Sequence, residues 1–102
     1  MAQPVIGAAE EHGAPLEAEV ALPNKAGLHA RSAAMVVKAA SRFQSTITLD
    51  VDGRQASARS LMELLRLGAR QGQLIRIRVE GRDAEDALHS IKSMIERGFD
   101  ED

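Results

Sequence analysis

Apolar and polar residues alternate in short stretches along this chain, and between those stretches the apolar positions recur at helical spacing. Within Glu17 to Leu22, Ala18, Val20 and Leu22 share one face, as in a half-buried strand that Pro23 ends. Ala33, Val36, Val37 and Ala40 then repeat every three or four residues, with Arg31, Lys38, Ser41 and Arg42 on the wet side, which predicts an amphipathic helix. Thr46 to Val51 alternates again through Ile47, Leu49 and Val51, and the Asp52-Gly53 pair signals a hairpin returning along Arg54 to Ala58.

A second helix starts at Ser60-Leu61-Met62-Glu63, a capping-box pattern in which hydroxyl and carboxylate each satisfy a backbone N–H. Leu61, Leu64, Leu65 and Leu67 form its inward side, and Gly68 stops it. Ile75, Ile77 and Val79, alternating with Arg76 and Arg78, give the cleanest strand pattern. Asp83 is placed to cap a last helix whose apolar stripe is Ala84, Ala87, Leu88, Ile91, Met94 and Ile95, closed by Gly98.

The order is β-α-β-β-α-β-α, and every strand has a single apolar face. Such a sheet is covered on one side only. The fold class is therefore α+β, a two-layer open-faced sandwich with a four-stranded antiparallel sheet under three helices. Residues 1–15 are rich in Ala, Gly, Glu and Pro and read as a flexible N-terminal tail; residues 16–102 form one domain.

Composition narrows the function. The formal charge is −2 with both signs interspersed, and Phe43 and Phe99 are the only aromatics, so neither a basic field nor a base-stacking platform exists and nucleic acid is not expected as a partner. Cysteine is absent, which excludes thiolate chemistry and suits a reducing compartment. Without a long apolar run or a basic, apolar leader, the chain reads as a cytoplasmic protein with no membrane insertion. No histidines or carboxylates have the spacing of a metal site and no Gly-rich nucleotide loop occurs, so neither metal nor cofactor is expected. His12, in the tail, and His89, on the polar side of the last helix, read as solvated.

His29 is different, because it stands with Arg31 at the mouth of a helix. A helix start presents backbone N–H groups without intrahelical partners and carries partial positive charge, so anions are favoured there. An imidazole in that field keeps a lone pair able to attack phosphorus. A lone histidine before a helix is more commonly a cap or turn residue, and a lone arginine a solvated one; the pair together points to phosphoryl chemistry. Gly27 allows a positive φ in the preceding loop, and Asn24 reads as a loop-shaping or turn residue.

Gly27-Leu28-His29-Ala30-Arg31, followed by an alanine-rich helix, resembles the active-site segment of the HPr family, the histidine phosphocarriers of the bacterial phosphoenolpyruvate-dependent phosphotransferase system. The resemblance extends from about Glu17 to Gly98. It implies that His29 accepts a phosphoryl group from phosphorylated enzyme I and passes it to an enzyme IIA protein for sugar uptake or its regulation. Arg31 would neutralise phosphoryl oxygens, with the backbone N–H groups of Ala30 and Ser32 as first-turn donors. The family usually has proline where this chain has Ser32, a change that restores an N–H and adds a hydroxyl, either able to reach a phosphoryl oxygen. Such a protein is a phosphoryl carrier with a phosphohistidine intermediate and not an enzyme.

Ser60 falls where the family has a regulatory serine, modified in some lineages by a dedicated serine kinase, although its cap role alone explains a serine there. Met62, Leu61 and Leu65 are the candidate partner-binding residues, Met62 foremost, with Arg31, Arg59 and Lys38 as a basic rim. The ending Glu96 to Asp102 resembles the nitrogen-related branch of the family, and its acidic residues also read as a solubilising end. The alternatives are thus a nitrogen-branch regulatory phosphocarrier, an HPr-like regulatory binding module, or a carrier domain of a multiphosphoryl protein.

Overall fold

A computed structural model describes residues 14–101. The expected tail, with His12, lies outside the described residues except for Ala14 and Pro15, which have no regular structure. The elements run β1 (Leu16–Ala21), α1 (Ala30–Ala40), β2 (Thr46–Val51), β3 (Arg54–Ser57), α2 (Leu61–Leu67), β4 (Leu74–Glu80) and α3 (Ala84–Glu96), followed by a 3₁₀ turn at Gly98–Asp100. The strands form one antiparallel sheet in the order β1-β4-β2-β3.

Register explains why the helices cover one face. Ala18 pairs with Ile77, Ile77 with Leu49 and Leu49 with Ala56, so one row of apolar side chains crosses all four strands. Ile75, Ile77 and Val79 of β4 are fully buried, and so are Val36 of α1, Leu64 of α2, and Ile91 and Ile95 of α3 above them. Burial of each such side chain is worth roughly 1.5–3 kcal/mol. The period-2 pattern of the strands and the 3.6-residue pattern of the helices meet in a single core.

Several local expectations shift. Leu22 lies just past β1 but is fully buried, and it exchanges backbone hydrogen bonds with Gly72 and Gln73 at 2.8 and 2.9 Å. The capping box of α2 forms only by half. Ser60 Oγ accepts from the Glu63 N–H at 3.1 Å, but the Glu63 carboxylate accepts from the Ser57 N–H, because the Ser60 N–H is already donated to the Ser57 carbonyl. Leu64 and Leu67 point inward, whereas Leu61 and Leu65 are exposed: two helical turns meet the core along one narrow stripe. Gly68 ends α2 in the left-handed conformation.

Asp83 occupies the cap position of α3 but makes no cap hydrogen bond. Its carboxylate instead accepts from the Gln44 and Ser45 N–H groups, each at 2.9 Å, and from the Ser45 hydroxyl, tying the loop before β2 to the start of α3. Arg59, exposed beside Ser60, reinforces that loop by donating to the carbonyls of Phe43 and Ser45. No helix of the described residues is long and apolar enough to cross a membrane.

Two predictions follow from these contacts. The Ser45 hydroxyl, then the Gln44 amide, hold the Asp83 carboxyl below the usual aspartate range. The stability it contributes is therefore full above the unfolded value and is lost as pH falls through the native one. In urea titrations at stepped pH, Asp83→Asn is expected to show a shallower loss of stability than wild type below about pH 4. Ser60→Ala is expected to lower unfolding stability by about 1 kcal/mol, with an unchanged denaturant slope, through loss of the α2 cap.

Candidate functional site

The loop from Asn24 to Leu28 delivers His29 to the start of α1 through a fixed path. The Gly27 N–H donates to the Asn24 carbonyl at 3.1 Å, and the Leu28 N–H donates to the Ala69 carbonyl at 3.0 Å, so the loop leans on the turn after α2. Gly27 has φ +66°, and a Cβ there would stand 2.5 Å from the Ala69 carbonyl oxygen. Backbone conformation and close approach both require glycine.

His29 is itself the N-cap of α1, with extended φ and ψ. Its Nδ1 accepts from the Arg31 N–H at 3.3 Å. Ser32 completes a reciprocal cap: its hydroxyl accepts from the His29 N–H at 2.9 Å and lies 3.2 and 3.3 Å from the carbonyls of His29 and Gly27. Ser32 is fully buried. The hydroxyl expected to reach toward a bound group is thus turned into the loop, where it ties together the segment that a proline would stiffen.

The residue missed from sequence is Glu101. Its Oε2 lies 2.8 Å from His29 Nε2 and accepts from Arg31 Nη1 at 2.9 Å; its Oε1 accepts from Asn24 Nδ2 at 2.8 Å. The expectation of a merely solubilising end does not hold for this residue, whose side chain is 14% exposed. Phe99, fully buried with φ +58°, turns the chain back after α3 and brings Glu101 to the histidine. Asn24 is more than a turn residue: buried, it also donates to the Gly27 carbonyl at 2.9 Å, joining loop and C-terminal segment. Its Oδ1 is buried without a hydrogen-bond partner.

These contacts define the protonation pattern. The Asn24 amide first, with the His29 ring and Arg31, and against partial desolvation, holds the Glu101 carboxyl below the usual carboxylate range. An ionised carboxylate only accepts, so the proton between them belongs to Nε2, and Nδ1, which accepts from a backbone N–H, carries the lone pair. The ring is 35% exposed and the Arg31 side chain 61%, so both can meet a group arriving from solvent.

The first-turn backbone of Ala30 and Ser32 lies at the same helix end. Ser60 caps α2, which carries Leu61, Met62 and Leu65 and packs against α1; Met62 is 59% exposed and Leu61 and Leu65 are also exposed. His89 is exposed on α3. Lys38 lines a separate groove between α1 and α3 with Met35, Arg42 and Arg97, away from His29. Among the described residues no group of three His, Asp or Glu side chains could hold a metal ion.

A sequence profile described as the PTS HPr component phosphorylation site matches residues 16–97. The phosphocarrier protein HPr of Xylella fastidiosa (strain Temecula1) is 42% identical over 87 residues, covering 85% of this chain and 98% of that protein. The phosphocarrier protein NPr of Proteus mirabilis is 40% identical over 84 residues, covering 81% and 93%. A multiphosphoryl transfer protein of Salmonella typhimurium is 42% identical over 89 residues, which span 84% of this chain but 24% of that protein. Among solved structures, HPr from Thermoanaerobacter tengcongensis superposes with a TM-score of 0.81 at 38% identity, covering 85% of this chain and 98% of that one. With its open-faced α+β sheet and a histidine capping the first helix, the chain belongs to the HPr family of phosphocarriers of the phosphotransferase system.

Proposed function

We propose that residues 16–102 act as a phosphocarrier domain that takes a phosphoryl group onto Nδ1 of His29 from phosphorylated enzyme I and passes it to an enzyme IIA protein, serving sugar uptake or its regulation. The observation that carries this reading is the hydrogen bonding of the ring: Nε2 faces Glu101, so the lone pair is on Nδ1, at the positive end of α1. Phosphoryl transfer needs a nucleophile, an in-line approach and positive groups around the equatorial oxygens. The Arg31 guanidinium and the first-turn N–H groups of Ala30, Arg31 and Ser32 supply the last of these. The phosphohistidine is the intermediate, and the protein works in the cytoplasm as a carrier, not as an enzyme, with no cofactor.

Docking is assigned to Met62, Leu61 and Leu65, apolar side chains left in water on a helix bonded through Ala69 to the histidine loop. Ser60 at the start of that helix is the proposed target of a serine kinase, and a phosphate there would add negative charge next to the docking face. The nitrogen-branch regulatory carrier is the second reading, supported by a 40% identity to the Proteus mirabilis NPr that nearly equals the 42% identity to the Xylella fastidiosa HPr.

The test is incubation with enzyme I, phosphoenolpyruvate and magnesium, followed by intact mass. Wild type is expected to gain one acid-labile phosphoryl group. His29→Ala is expected to gain none while losing only about 1 kcal/mol of stability, the worth of an N-cap; undiminished charging of that variant overturns the site. Met62→Asp is expected to leave the melting temperature unchanged and to slow phosphoryl exchange with partner proteins about tenfold, the consequence of losing one good interface contact.

A further inference from the structure

Glu101 does more than neutralise a surface arginine. Its carboxylate meets three donors from three places in the chain: the Asn24 amide in the loop, the His29 ring at the cap of α1, and the Arg31 guanidinium in its first turn. A tethered side chain makes such a threefold fit only where the backbone delivers it. Here Phe99 is fully buried and the residues Gly98, Phe99 and Asp100 all have positive φ, so the core itself aims Glu101 at the ring. Resting on the reading of His29 as phosphoryl acceptor, we infer that Glu101 is a positioning residue for the transfer: it keeps the proton on Nε2, presents Nδ1 as the nucleophile, and balances the charge the ring acquires.

The chemistry requires such a group. When Nδ1 gives its lone pair to phosphorus, the bond from phosphorus to the donor's leaving atom breaks and that electron pair departs with the donor. The Nε2 proton stays in place, so the ring becomes a substituted imidazolium with a formal positive charge. Glu101 Oε2, 2.8 Å from Nε2, is already where that charge develops. A carboxylate behind an imidazole has the same two effects when the ring acts as a base, fixing the tautomer and stabilising the cation. The partly buried setting strengthens the interaction over its value in bulk water. Transfer onward reverses the sequence, and the same carboxylate again holds the Nε2 proton.

Arg31 has a different part in this arrangement. Its Nη1 reaches the Oε2 atom that faces Nε2, while the proposed phosphoryl position is at Nδ1. Its exposed side chain can leave the carboxylate for the phosphoryl oxygens once the ring is charged. Glu101 retains Nε2 and Asn24 through that exchange, so the ring keeps its orientation while the arginine changes partner.

The test compares wild type with Glu101→Ala and Glu101→Gln in the full chain. Two readouts are needed: the tautomer of His29, from long-range proton–nitrogen NMR of the neutral ring, and the single-turnover rate of acid-labile phosphorylation by enzyme I and phosphoenolpyruvate. Wild type is expected to show the Nε2–H tautomer alone. Glu101→Ala is expected to show a mixture and to charge roughly tenfold more slowly or worse. Glu101→Gln keeps an accepting oxygen and an unperturbed fold, so it should restore the tautomer yet recover the rate only in part, because the negative charge is gone. An unchanged tautomer in Glu101→Ala, or a rate equal to or faster than wild type whatever the tautomer, overturns the inference and leaves the His29 assignment standing. A wild-type chain that takes up no phosphoryl group overturns that assignment, and this inference with it.

Discussion

Burial of the inner face of β4 is the constraint on which the rest of the structure depends. Ile75, Ile77 and Val79 sit between the strands on either side and lie under the helices, with no exposure. Every loop that contributes to the site leaves the sheet or the helices pinned to it: the His29 loop follows β1, the Ala69 turn precedes β4, and Phe99 follows α3. A shift of register by one residue would turn the apolar row outward and separate these three segments together. The chemistry proposed for the histidine is local, but its geometry is set by the packing of the sheet.

That dependence also separates the legible from the illegible. Strand alternation, the helical stripes and the Asp52-Gly53 hairpin are short-range patterns, and they place the four strands and three helices to within a residue or two at most ends. His29 and Arg31 are two residues apart, and their placement at the mouth of α1 is readable from local pattern alone. Glu101 lies 72 residues from His29. Nothing local distinguishes it from Asp100 beside it, and its role appears only after Phe99 is buried and the backbone turns through positive φ. The loop-shaping part of Asn24 is legible and is seen in its bond to the Gly27 carbonyl, whereas its bond to that distant carboxylate is not.

Helix α2 shows a different kind of limit. Leucine at four of seven positions, with methionine at a fifth, makes this helix look amphipathic in more than one rotation, so sequence alone does not choose which of them face the core. The structure buries Leu64 and Leu67 and leaves Leu61, Met62 and Leu65 in water, a costly arrangement for a domain of this size unless the surface is used. At Ser32 the residue type suggests contact with an incoming group, whereas the buried hydroxyl closes hydrogen bonds inside the loop. Rigidity that a proline ring would supply through its fixed φ is supplied here by a side chain bonded to backbone.

His29 Nδ1 accepts the Arg31 amide proton and thereby caps the helix with the very lone pair proposed to bond phosphorus. One electron pair cannot do both. On the proposed role of His29, covalent charging and the fraying of the first turn are therefore linked equilibria: whatever strengthens the cap makes the ring a poorer acceptor, and a phosphoryl oxygen bound there would take over the released amide. On that same reading, amide hydrogen exchange at Arg31 becomes a gauge of how fully the carrier is loaded.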